Sequence, residues 1–384
     1  MKIGIEGQRL YRRNKHGMDM VALELIKNLQ QTDHENEYVV FVKPDEDNTC
    51  IPQAPNFKII ELKGGPYPIW EQIALPKAAK AEGCDILHCT SNTGPIWSAV
   101  PLIVILHDII YLESVSILKK GGTWYQKLGN MYRRWVVPPV VRKSKRVVTV
   151  SNFEKERIKN FMGLGDNLVA IYNGVGKHFI EITDKTILAQ AKSKYHLPYR
   201  FLFFLGNTDP KKNTPNVLKA FAGFNAESDV KYKLVMLDFD ETVLQAILSD
   251  IGHPEIRNDI HLTGYVVNTD LPAIINQCEV FLYPSLRESF GIPILEGMAC
   301  GVPVITSNTS SMPEIAGNAA LIVDPYNSGE IKNAIVRLVT DQELRAELKI
   351  RGMQQAAKFS WENMAKQYLS LYNEVYNEIK QQKK

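Results

Sequence analysis

Residues 288–297 have the sequence Glu-Ser-Phe-Gly-Ile-Pro-Ile-Leu-Glu-Gly. An apolar run precedes them at 280–283, so the pattern predicts a strand followed by a helix over 291–300. A glycine at 291 lets the backbone come close to a ligand, and Pro293 in the first helical turn loses no hydrogen bond. A helix start of this kind favours anion binding. The amides that would face the anion are those of Phe290, Gly291 and Ile292.

Two carboxylates flank this predicted anion site. Glu288 lies just before the helix and Glu296 about two turns inside it. Carboxylates beside an anion are unfavourable unless each binds a hydroxyl group, so the pair favours a ligand that also carries hydroxyl groups. The alternative is structural: Glu288 caps the helix and Glu296 is solvated.

A second phosphate-binding pattern lies upstream, at the end of another predicted strand. Residues 206–213 have the sequence Gly-Asn-Thr-Asp-Pro-Lys-Lys-Asn, in which Gly206 precedes the paired cations Lys211 and Lys212. Glycine followed by clustered lysine between a strand and a helix suits a phosphate group.

Around these stretches, short apolar runs alternate with longer amphipathic segments along the whole chain. This alternation predicts an α/β fold of two doubly wound, Rossmann-like halves whose parallel strands are covered on both faces. Ligands bind such sheets at the carboxyl ends of their strands. The predicted strands are 38–42, 86–88, 102–106, 146–150, 201–205, 233–237, 280–283 and 302–305. We expect an N-terminal domain at 1–175, a linker at 176–200, a second domain at 201–358 and a C-terminal helix at 359–384 that packs back on the first domain.

Composition excludes several classes of protein. The chain has 384 residues, of which 45% are hydrophobic and 23% charged, and a net charge of +3. That charge is too small for a general nucleic-acid binder. Five cysteines without a C-x-x-C pair predict reduced thiols and no metal site. The start of the chain has the pattern of a strand rather than of a signal peptide, and no apolar run reaches the ~20 residues of a membrane span. We therefore expect a cytoplasmic protein.

Further polar positions end strands of the first half: His107-Asp108, Val150-Ser151 and, before the linker, Tyr172 to Val175. Together with the E-x7-E element of 288–296 and the loop at 206–213, in this order, they resemble the retaining GT-B glycosyltransferases of glycosyltransferase family 4. The resemblance covers nearly the whole chain. It implies a fold of two Rossmann-like domains facing a cleft, with the donor bound mainly by the second domain and the acceptor mainly by the first.

The resemblance also implies roles for single residues. Glu296 matches the glutamate that binds the ribose of a nucleotide-sugar donor, and Glu288 with the neighbouring amides matches the group that holds the sugar and its phosphates. Lys212 matches the lysine that neutralises the diphosphate, and His107 the histidine that contacts the transferred sugar. Tyr265 and Val266 match the loop beside the base. No cofactor or metal is expected.

The sequence departs from the family pattern at two places. Where relatives commonly have an arginine for the diphosphate, this chain has the neutral Asn207, and Lys211 is the nearest replacement. Where many relatives have two glycines at the start of the first helix, only Gly17 remains, and Asp19 is expected to add an unfavourable negative charge beside the phosphates.

A basic segment marks the first half. Residues 114–153 contain no acid and nine cations between Lys119 and Arg146, interleaved with Trp124, Tyr125, Tyr132 and Trp135. This composition suits the surface of an anionic membrane. The alternative is a solvated helix face whose aromatic residues belong to the core.

The sequence thus predicts a retaining, metal-independent hexosyltransferase of surface polysaccharide synthesis, peripheral at the inner face of the cell membrane. GDP-mannose is the first choice of donor, by general similarity to mannosyltransferase-like members, and the acceptor is a glycan or a polyprenyl-linked sugar. One alternative is a catalytically weak sugar-nucleotide-binding protein. Another is a phosphatase that uses Asp238 and Asp240 of the D-x-D-x-T stretch at 238–242, although the sequence lacks the Asp-Asp pair which that class requires.

Overall fold

The computed structural model describes residues 1–113 and 124–382, and of residues 124–127 the backbone alone. The chain forms two compact units. The first contains residues 1–173 and the C-terminal helix, and the second contains residues 174–360. The segment 176–200, which the sequence suggested as a linker, belongs to the second unit.

The first unit has a parallel sheet of seven strands in the order β3-β2-β1-β4-β5-β6-β7. Its central strands are buried on both faces, which explains their continuous apolar sequences. The strands are β1 (Lys2–Gly7), β2 (Glu37–Val42), β3 (Phe57–Glu61), β4 (Ile86–Cys89), β5 (Leu102–Ile105), β6 (Arg146–Thr149) and β7 (Leu168–Ala170).

The second unit repeats the design with six parallel strands in the order β10-β9-β8-β11-β12-β13. Its core combines Phe204, Phe221 and Phe224 with the aliphatic residues of the neighbouring strands and helices. The strands are β8 (Phe201–Phe204), β9 (Lys233–Met236), β10 (Ile260–Leu262), β11 (Val280–Tyr283), β12 (Val304–Ser307) and β13 (Leu321–Val323).

Helices connect the strands of both sheets. A π-helical turn at Trp70–Ala74 lies between α2 and α3, and short 3-10 helices lie at Pro210–Lys212 and Pro254–Asp259. The α-helices are α1 (Gly17–Thr32), α2 (Tyr67–Ile69), α3 (Leu75–Ala81), α4 (Ile110–Glu113), α5 (Trp124–Lys143), α6 (Asn152–Met162), α7 (Lys185–Lys194), α8 (Thr214–Glu227), α9 (Glu241–Asp250), α10 (Leu271–Ile275), α11 (Ile292–Ala299), α12 (Met312–Ala316), α13 (Ser328–Thr340), α14 (Gln342–Ala356) and α15 (Trp361–Gln382). Within the described part of the chain, no helix combines the length and apolarity needed to cross a membrane.

The predicted fold class, two doubly wound α/β halves, is confirmed. In each sheet the strand order reverses direction once, between β1 and β4 in the first unit and between β8 and β11 in the second. Open parallel sheets bind ligands in the crevice at such a switch point, at the carboxyl ends of the strands. The topology therefore points to one crevice in each unit.

The C-terminal helix α15 belongs to the first unit, as the sequence predicted. It packs against α1. The hydroxyl of Tyr372 lies 2.6 Å from the buried Nδ1 of His88 in β4. Arg146 in β6 forms ion pairs with Glu374 and Glu378. The last helix of the chain thus packs against the sheet that contains its first strand.

Candidate active site

The switch point of the second sheet holds a buried ion pair. Lys212 follows β8 and Glu288 follows β11. The ammonium Nζ of Lys212 donates hydrogen bonds to Glu288 Oε1 and to Tyr283 Oη, each at 2.7 Å. Both charged side chains are largely buried, with exposed fractions of 15% and 14%. The two residues that the sequence assigned to one site from separate motifs therefore lie in direct contact.

The loop that carries Lys212 is fixed by Asn213. This residue has a left-handed backbone (φ 62°), which asparagine tolerates better than most residues. Its side-chain amide donates to the carbonyls of Pro284 and Pro325, at 3.0 and 2.6 Å. The amide of Leu286 donates to Lys211 O at 2.7 Å. These bonds join the loops that follow β8, β11 and β13 and hold the ion pair in place.

Two serines shape the segment that leads into α11. The amide of Glu288 donates to Ser310 Oγ at 3.0 Å. Ser311 Oγ lies 2.9 Å from the carbonyl oxygens of both Glu288 and Phe290, and its one hydroxyl proton is shared between them. Gly291 then takes a positive φ of 103°, a conformation that strongly favours glycine, and the helix begins at Ile292. No side chain caps this helix start. The interpretation of Glu288 as a helix cap is therefore wrong.

The start of α11 has few backbone donors left for a ligand. Pro293 has no N–H group, and the amide of Ile294 donates to Gly291 O at 3.0 Å. The amides of Gly291 and Ile292 are therefore donors that this helix start can offer to an anion. Phe290 is buried, and the role of its amide stays a prediction.

Glu296 lies about one turn along the same helix and is half-buried. Burial raises the pKa of its carboxyl group to about 7, and the nearby Lys212 opposes that shift. The interpretation of Glu296 as an ordinary solvated glutamate is therefore wrong. A carboxylate in this setting gains stability when a ligand donates hydrogen bonds to it.

The arrangement suits a ligand that carries both a diphosphate and a sugar. An ammonium group has three N–H donors, and two of those of Lys212 are used by Glu288 and Tyr283. The third is left for a phosphate oxygen. Carboxylates at 288 and 296 accept from hydroxyl groups, and the helix start donates to anionic oxygen.

His107 follows β5 in the first unit and is buried. Its amide donates to Asn92 Oδ1 at 2.6 Å, and its Nε2 lies 3.1 Å from the carbonyl oxygen of Thr90. Because a carbonyl only accepts, Nε2 carries the proton and Nδ1 is an acceptor. Burial lowers the pKa of this imidazole, which favours its neutral form. A sugar hydroxyl is therefore the kind of donor that Nδ1 fits.

Comparisons with known proteins identify both halves. A family described as Glycosyltransferase Family 4 matches residues 16–177, and one described as Glycosyl transferases group 1 matches residues 188–355. The chain belongs to glycosyltransferase family 4.

Two curated relatives come from Escherichia coli. The chain is 32% identical to the O-antigen chain mannosyltransferase B over 235 residues, which is 60% of this chain and 60% of the relative. It is 33% identical to the serotype-specific mannosyltransferase WbdA over 203 residues, 52% of this chain and 25% of that protein. The chain thus matches less than two thirds of the length of either relative.

Solved structures establish the fold of this family member as GT-B. The structure of HepE from Anabaena in complex with UDP-glucose superposes with a TM-score of 0.76. The superposition covers 97% of this chain and 100% of the other, at 17% sequence identity.

The structure shows where the residues of the first departure from the family pattern, at 206–212, lie. Gly206 comes so close to Phe204 that a Cβ atom there would lie 2.1 Å from the aromatic ring. The side chain of Asn207 is exposed and accepts from the amide of Asp209 at 2.8 Å. Lys211 is exposed and lies 3.3 Å from the carboxylate of Asp209. Its charge is thus partly compensated in the free protein, and its role at the diphosphate stays a prediction.

The second departure, at the start of α1, differs from expectation. Gly17 is exposed at the first helical position, and its contact with the donor stays a prediction. Asp19, expected to be an unfavourable charge, is buried. Its carboxylate accepts from the amide of His16 at 2.9 Å and lies 2.9 Å from Arg9 Nε. Asp19 therefore stabilises the helix start and is already neutralised by a cation.

The remaining predicted positions lie on loops of the second unit. Tyr265 and Val266 follow β10, and Tyr265 is 74% exposed; their place beside the base stays a prediction. Asp240 of the phosphatase hypothesis caps α9, where it accepts from the amide of Val243 at 2.9 Å. Among the described residues, no group of three or more His, Cys, Asp or Glu side chains could hold a metal ion.

Sequence reasoning missed Tyr283 and the serine pair at 310 and 311. Tyr283 ends an otherwise apolar, buried strand, and its phenol is the one polar group of that run. A lone phenol at the carboxyl end of a central strand is a signal that the sequence does carry. The serines carry none, because their roles depend on a loop that is distant in sequence.

Proposed function

We propose that this chain is a retaining glycosyltransferase that moves a hexosyl group from a nucleoside diphosphate sugar to a hydroxyl of a glycan or lipid-linked acceptor. The observation that carries the proposal is the ion pair of Lys212 and Glu288 at the switch point of the second sheet, with one N–H of the ammonium left for a phosphate.

The proposed reaction breaks the bond between the sugar C1 and the diphosphate oxygen and forms a bond from C1 to the acceptor oxygen. The acceptor's proton passes to the departing diphosphate. Negative charge grows on that leaving group, and fixed cations and helix amides stabilise such charge best when they need no rearrangement. Lys212 and the amides of Gly291 and Ile292 are proposed to stabilise this charge. The chemistry is proposed to need no divalent metal.

Glu296 is proposed to accept hydrogen bonds from the two ribose hydroxyls, and Tyr265 to lie beside the base. The similarity to mannosyltransferases supports mannose as the transferred sugar and GDP as its carrier. The same relatives support a role in the synthesis of an O-antigen-like surface polysaccharide.

A panel of GDP-, UDP- and ADP-sugars tests the donor, because a ligand that binds only the folded state raises the unfolding temperature. Incubation of the stabilising donor with mannosyl acceptors, followed by mass spectrometry, tests transfer. We expect transfer that persists in EDTA and retains the anomeric configuration. Donor binding without transfer or donor hydrolysis would favour the sugar-nucleotide-binding alternative, and the absence of any stabilising nucleotide would contradict the proposal.

We propose an anionic membrane surface as a further partner of the first unit. Leu128, Met131 and Trp135 lie on one face of α5 and are 49%, 63% and 64% exposed. Trp97 is 70% exposed, and Lys143 lies 5.8 Å from its ring centroid. Exposed aromatic and apolar side chains beside cations suit the headgroup region.

The structure reduces the number of cations in the basic segment 119–146 that are available to lipid. Arg146 is compensated by two glutamates of α15 and is not available to lipid, and Tyr132 is half-buried. Lys119, Lys120 and the side chains of Trp124, Tyr125 and Lys127 lie outside the described residues.

Liposome sedimentation tests the membrane proposal. We expect binding to vesicles rich in phosphatidylglycerol at low salt, weakened by salt and by Trp135→Ser with Arg142→Ser. Arg351→Ser, an exposed cation of the second unit, is the control. Protein that stays in the supernatant with anionic vesicles at low salt would leave α5 as a solvated face.

A further inference from the structure

A cavity of about 330 Å³ lies in the first unit, at the switch point of its own sheet. It is lined by Arg9 and Arg12 after β1, by Ser91 and Thr93 after β4, and by Tyr132 and Arg133 on α5. Its volume falls within the ~300–1,000 Å³ that is typical of small-molecule sites. The residues above assigned to the donor do not line it.

A buried carboxylate organises one wall of the cavity. Glu71 lies in the π-helical turn and is fully buried. It accepts hydrogen bonds from the hydroxyls of Tyr67, Thr93 and Tyr132 and, at 3.0 Å, from the side-chain Nε2 of Gln72. The two phenols thus direct their hydroxyls toward Glu71. The rings of Tyr67 and Tyr132, which meet edge to face with centroids 5.8 Å apart, line the cavity with a rigid aromatic surface.

The acids near the cavity are already engaged. Glu6 accepts from the amides of Gln8 and Thr90, at 2.9 and 3.2 Å, and from Thr90 Oγ at 3.0 Å. Asp19 is paired with Arg9. Burial raises the pKa of the Glu71 carboxyl group, while the hydrogen bonds from Thr93, Tyr132 and Tyr67 oppose that shift, and its four donors satisfy both oxygens.

The arginines are not engaged to the same degree. Arg12 and Arg133 have no acidic partner among the described residues, although Arg133 donates to Asn130 Oδ1 at 3.1 Å and its Cζ lies 5.5 Å from the centroid of the Tyr111 ring. The Nη2 atom of Arg9 is buried without a hydrogen-bond acceptor in the described part of the chain. Arginine presents a planar fork of N–H donors that matches phosphate and carboxylate groups. A buried N–H donor without an acceptor costs folding free energy. The cavity therefore offers guanidinium donors that an anionic group can accept from.

We infer that this cavity binds a sugar that bears an acidic group, with Arg9, Arg12 and Arg133 on the acid and Tyr67 and Tyr132 against the sugar ring. The inference rests on the proposed function, in which this ligand is part of the acceptor. The acidic group has two chemical sources: a phosphate ester, as in a sugar joined to a polyprenyl diphosphate, or the carboxylate of a uronic acid. The ring face of a pyranose packs well on an aromatic surface, and the hydroxyls of Ser91 and Thr93 add polar contacts.

Calorimetric titration of the full chain with matched probes tests the inference without turnover. The probes are mannose 1-phosphate, mannuronate and the neutral methyl α-mannoside. We expect one of the acidic probes to bind at least tenfold more tightly than the neutral glycoside. Arg12→Gln and Arg133→Gln should each weaken that binding by about tenfold or more, since a hydrogen bond to a charged group is lost. Lys77→Gln, an exposed cation of α3 outside the cavity, is the matched control.

The donor site could also bind a sugar phosphate, so Lys212→Ala is titrated in parallel. Acidic-probe binding that survives Lys212→Ala and is lost in the arginine variants assigns the probe to this cavity. Preference for mannose 1-phosphate identifies the phosphate source, and preference for mannuronate the uronic acid. Equal binding of the neutral glycoside, loss of binding only in Lys212→Ala, or no binding of either acid would overturn the inference. The proposed function would remain, because nucleotide-sugar binding is measured separately.

Discussion

At the scale of single residues, Lys212 is the residue on which the proposed chemistry of the second unit depends most. It must neutralise a leaving diphosphate, yet in the free protein its charge is compensated by Glu288. The pair keeps the ammonium in place before the donor arrives, and its third N–H is left for a phosphate oxygen of the donor. Fixed charges of this kind stabilise a transition state more than a ground state.

We expect Lys212→Ala to lower kcat by about a hundredfold or more, with a smaller effect on donor affinity, because the developing charge of the leaving group loses its cation. Steady-state kinetics and calorimetry measure the two effects. Lys219→Ala, an exposed lysine on α8, is the control and should behave as the wild type. Full activity in Lys212→Ala would remove this residue from the mechanism.

The raised pKa of Glu296 predicts a pH dependence of nucleotide binding. Burial places the pKa at about 7, and ribose hydroxyls bind the ionised form. Nucleotide binding should therefore lower this pKa and release a proton, so that affinity falls as the pH drops below about 7. In folding the sign is opposite: the folded pKa exceeds the ordinary 4.5, so this group contributes stability at low pH that is lost as the pH rises through about 7.

Calorimetry of GDP or UDP in buffers of different ionisation enthalpy measures the proton release. Glu296→Gln should bind the nucleotide more weakly and lack this part of the pH dependence. The nucleotide's own phosphates titrate in both experiments, so subtracting one pH profile from the other removes their contribution. Identical pH profiles of the two proteins would exclude Glu296 from the ribose.

The sequence predicts these residues unequally, for physical reasons. Lys212, Glu288 and Glu296 lie in short motifs at the ends of strands, where side-chain type and backbone turn occur together. Asp19 was misjudged because its partner, Arg9, comes from the preceding loop. The hydrogen bonds to Glu71 join residues up to 61 positions apart, so no local sequence pattern predicts them.

At the scale of elements, the close approach of α11 to its sheet sets the position of Glu296. A Cβ atom at Gly297 would lie 3.1 Å from the ring of Phe281 in β11 and 3.1 Å from Val304 in β12. The glycine thus allows the helix to lie directly on the strands. The neighbouring carboxylate and the helix start are held at the strand ends as a result.

Gly297→Val should push α11 away from the sheet and destabilise the second unit by about 1–3 kcal/mol, as overpacking does. Nucleotide affinity should fall as well, because Glu296 moves with the helix. Gly223→Val on α8 is the matched control, since its nearest neighbour is the flexible end of Lys332. Urea unfolding and calorimetry measure both effects, and an unchanged stability of Gly297→Val would contradict this role of the glycine.

The elements that the sequence predicted are the central strands and the long amphipathic helices. A central parallel strand is a continuous apolar run, and a long helix has a clear stripe. The edge strands β7, β10 and β13 have three residues each, too few for any periodicity. The helical segment at 67–81 is divided by a π turn and prolines, which break the regular spacing.

At the scale of the whole molecule, the chain builds the first unit from its two ends. The apolar stripe of α15 is legible in the sequence, and the structure buries it in the first unit. The unit therefore stays incomplete until the last residues of the chain are present. The second unit needs no such return, because residues 174–360 are continuous.

Deletion of residues 361–384 should unfold the first unit and leave the second able to bind a nucleotide. A fully buried large apolar side chain contributes roughly 1.5–3 kcal/mol, and α15 buries several. These are Trp361, Met364, Tyr368, Leu371, Tyr372, Val375 and Ile379. Their sum is an upper bound, yet it is comparable with the ~5–15 kcal/mol of free energy by which a domain is stable.

Limited proteolysis of the deletion variant should then cut within residues 1–173, while calorimetry still detects nucleotide binding. Lys366→Ala, exposed on the same helix, should leave both units intact. A milder variant, Tyr372→Phe, removes the hydroxyl partner of His88 and should cost about 1–3 kcal/mol in the first unit alone. A first unit that resists protease without α15 would mean that its sheet closes without the returning helix.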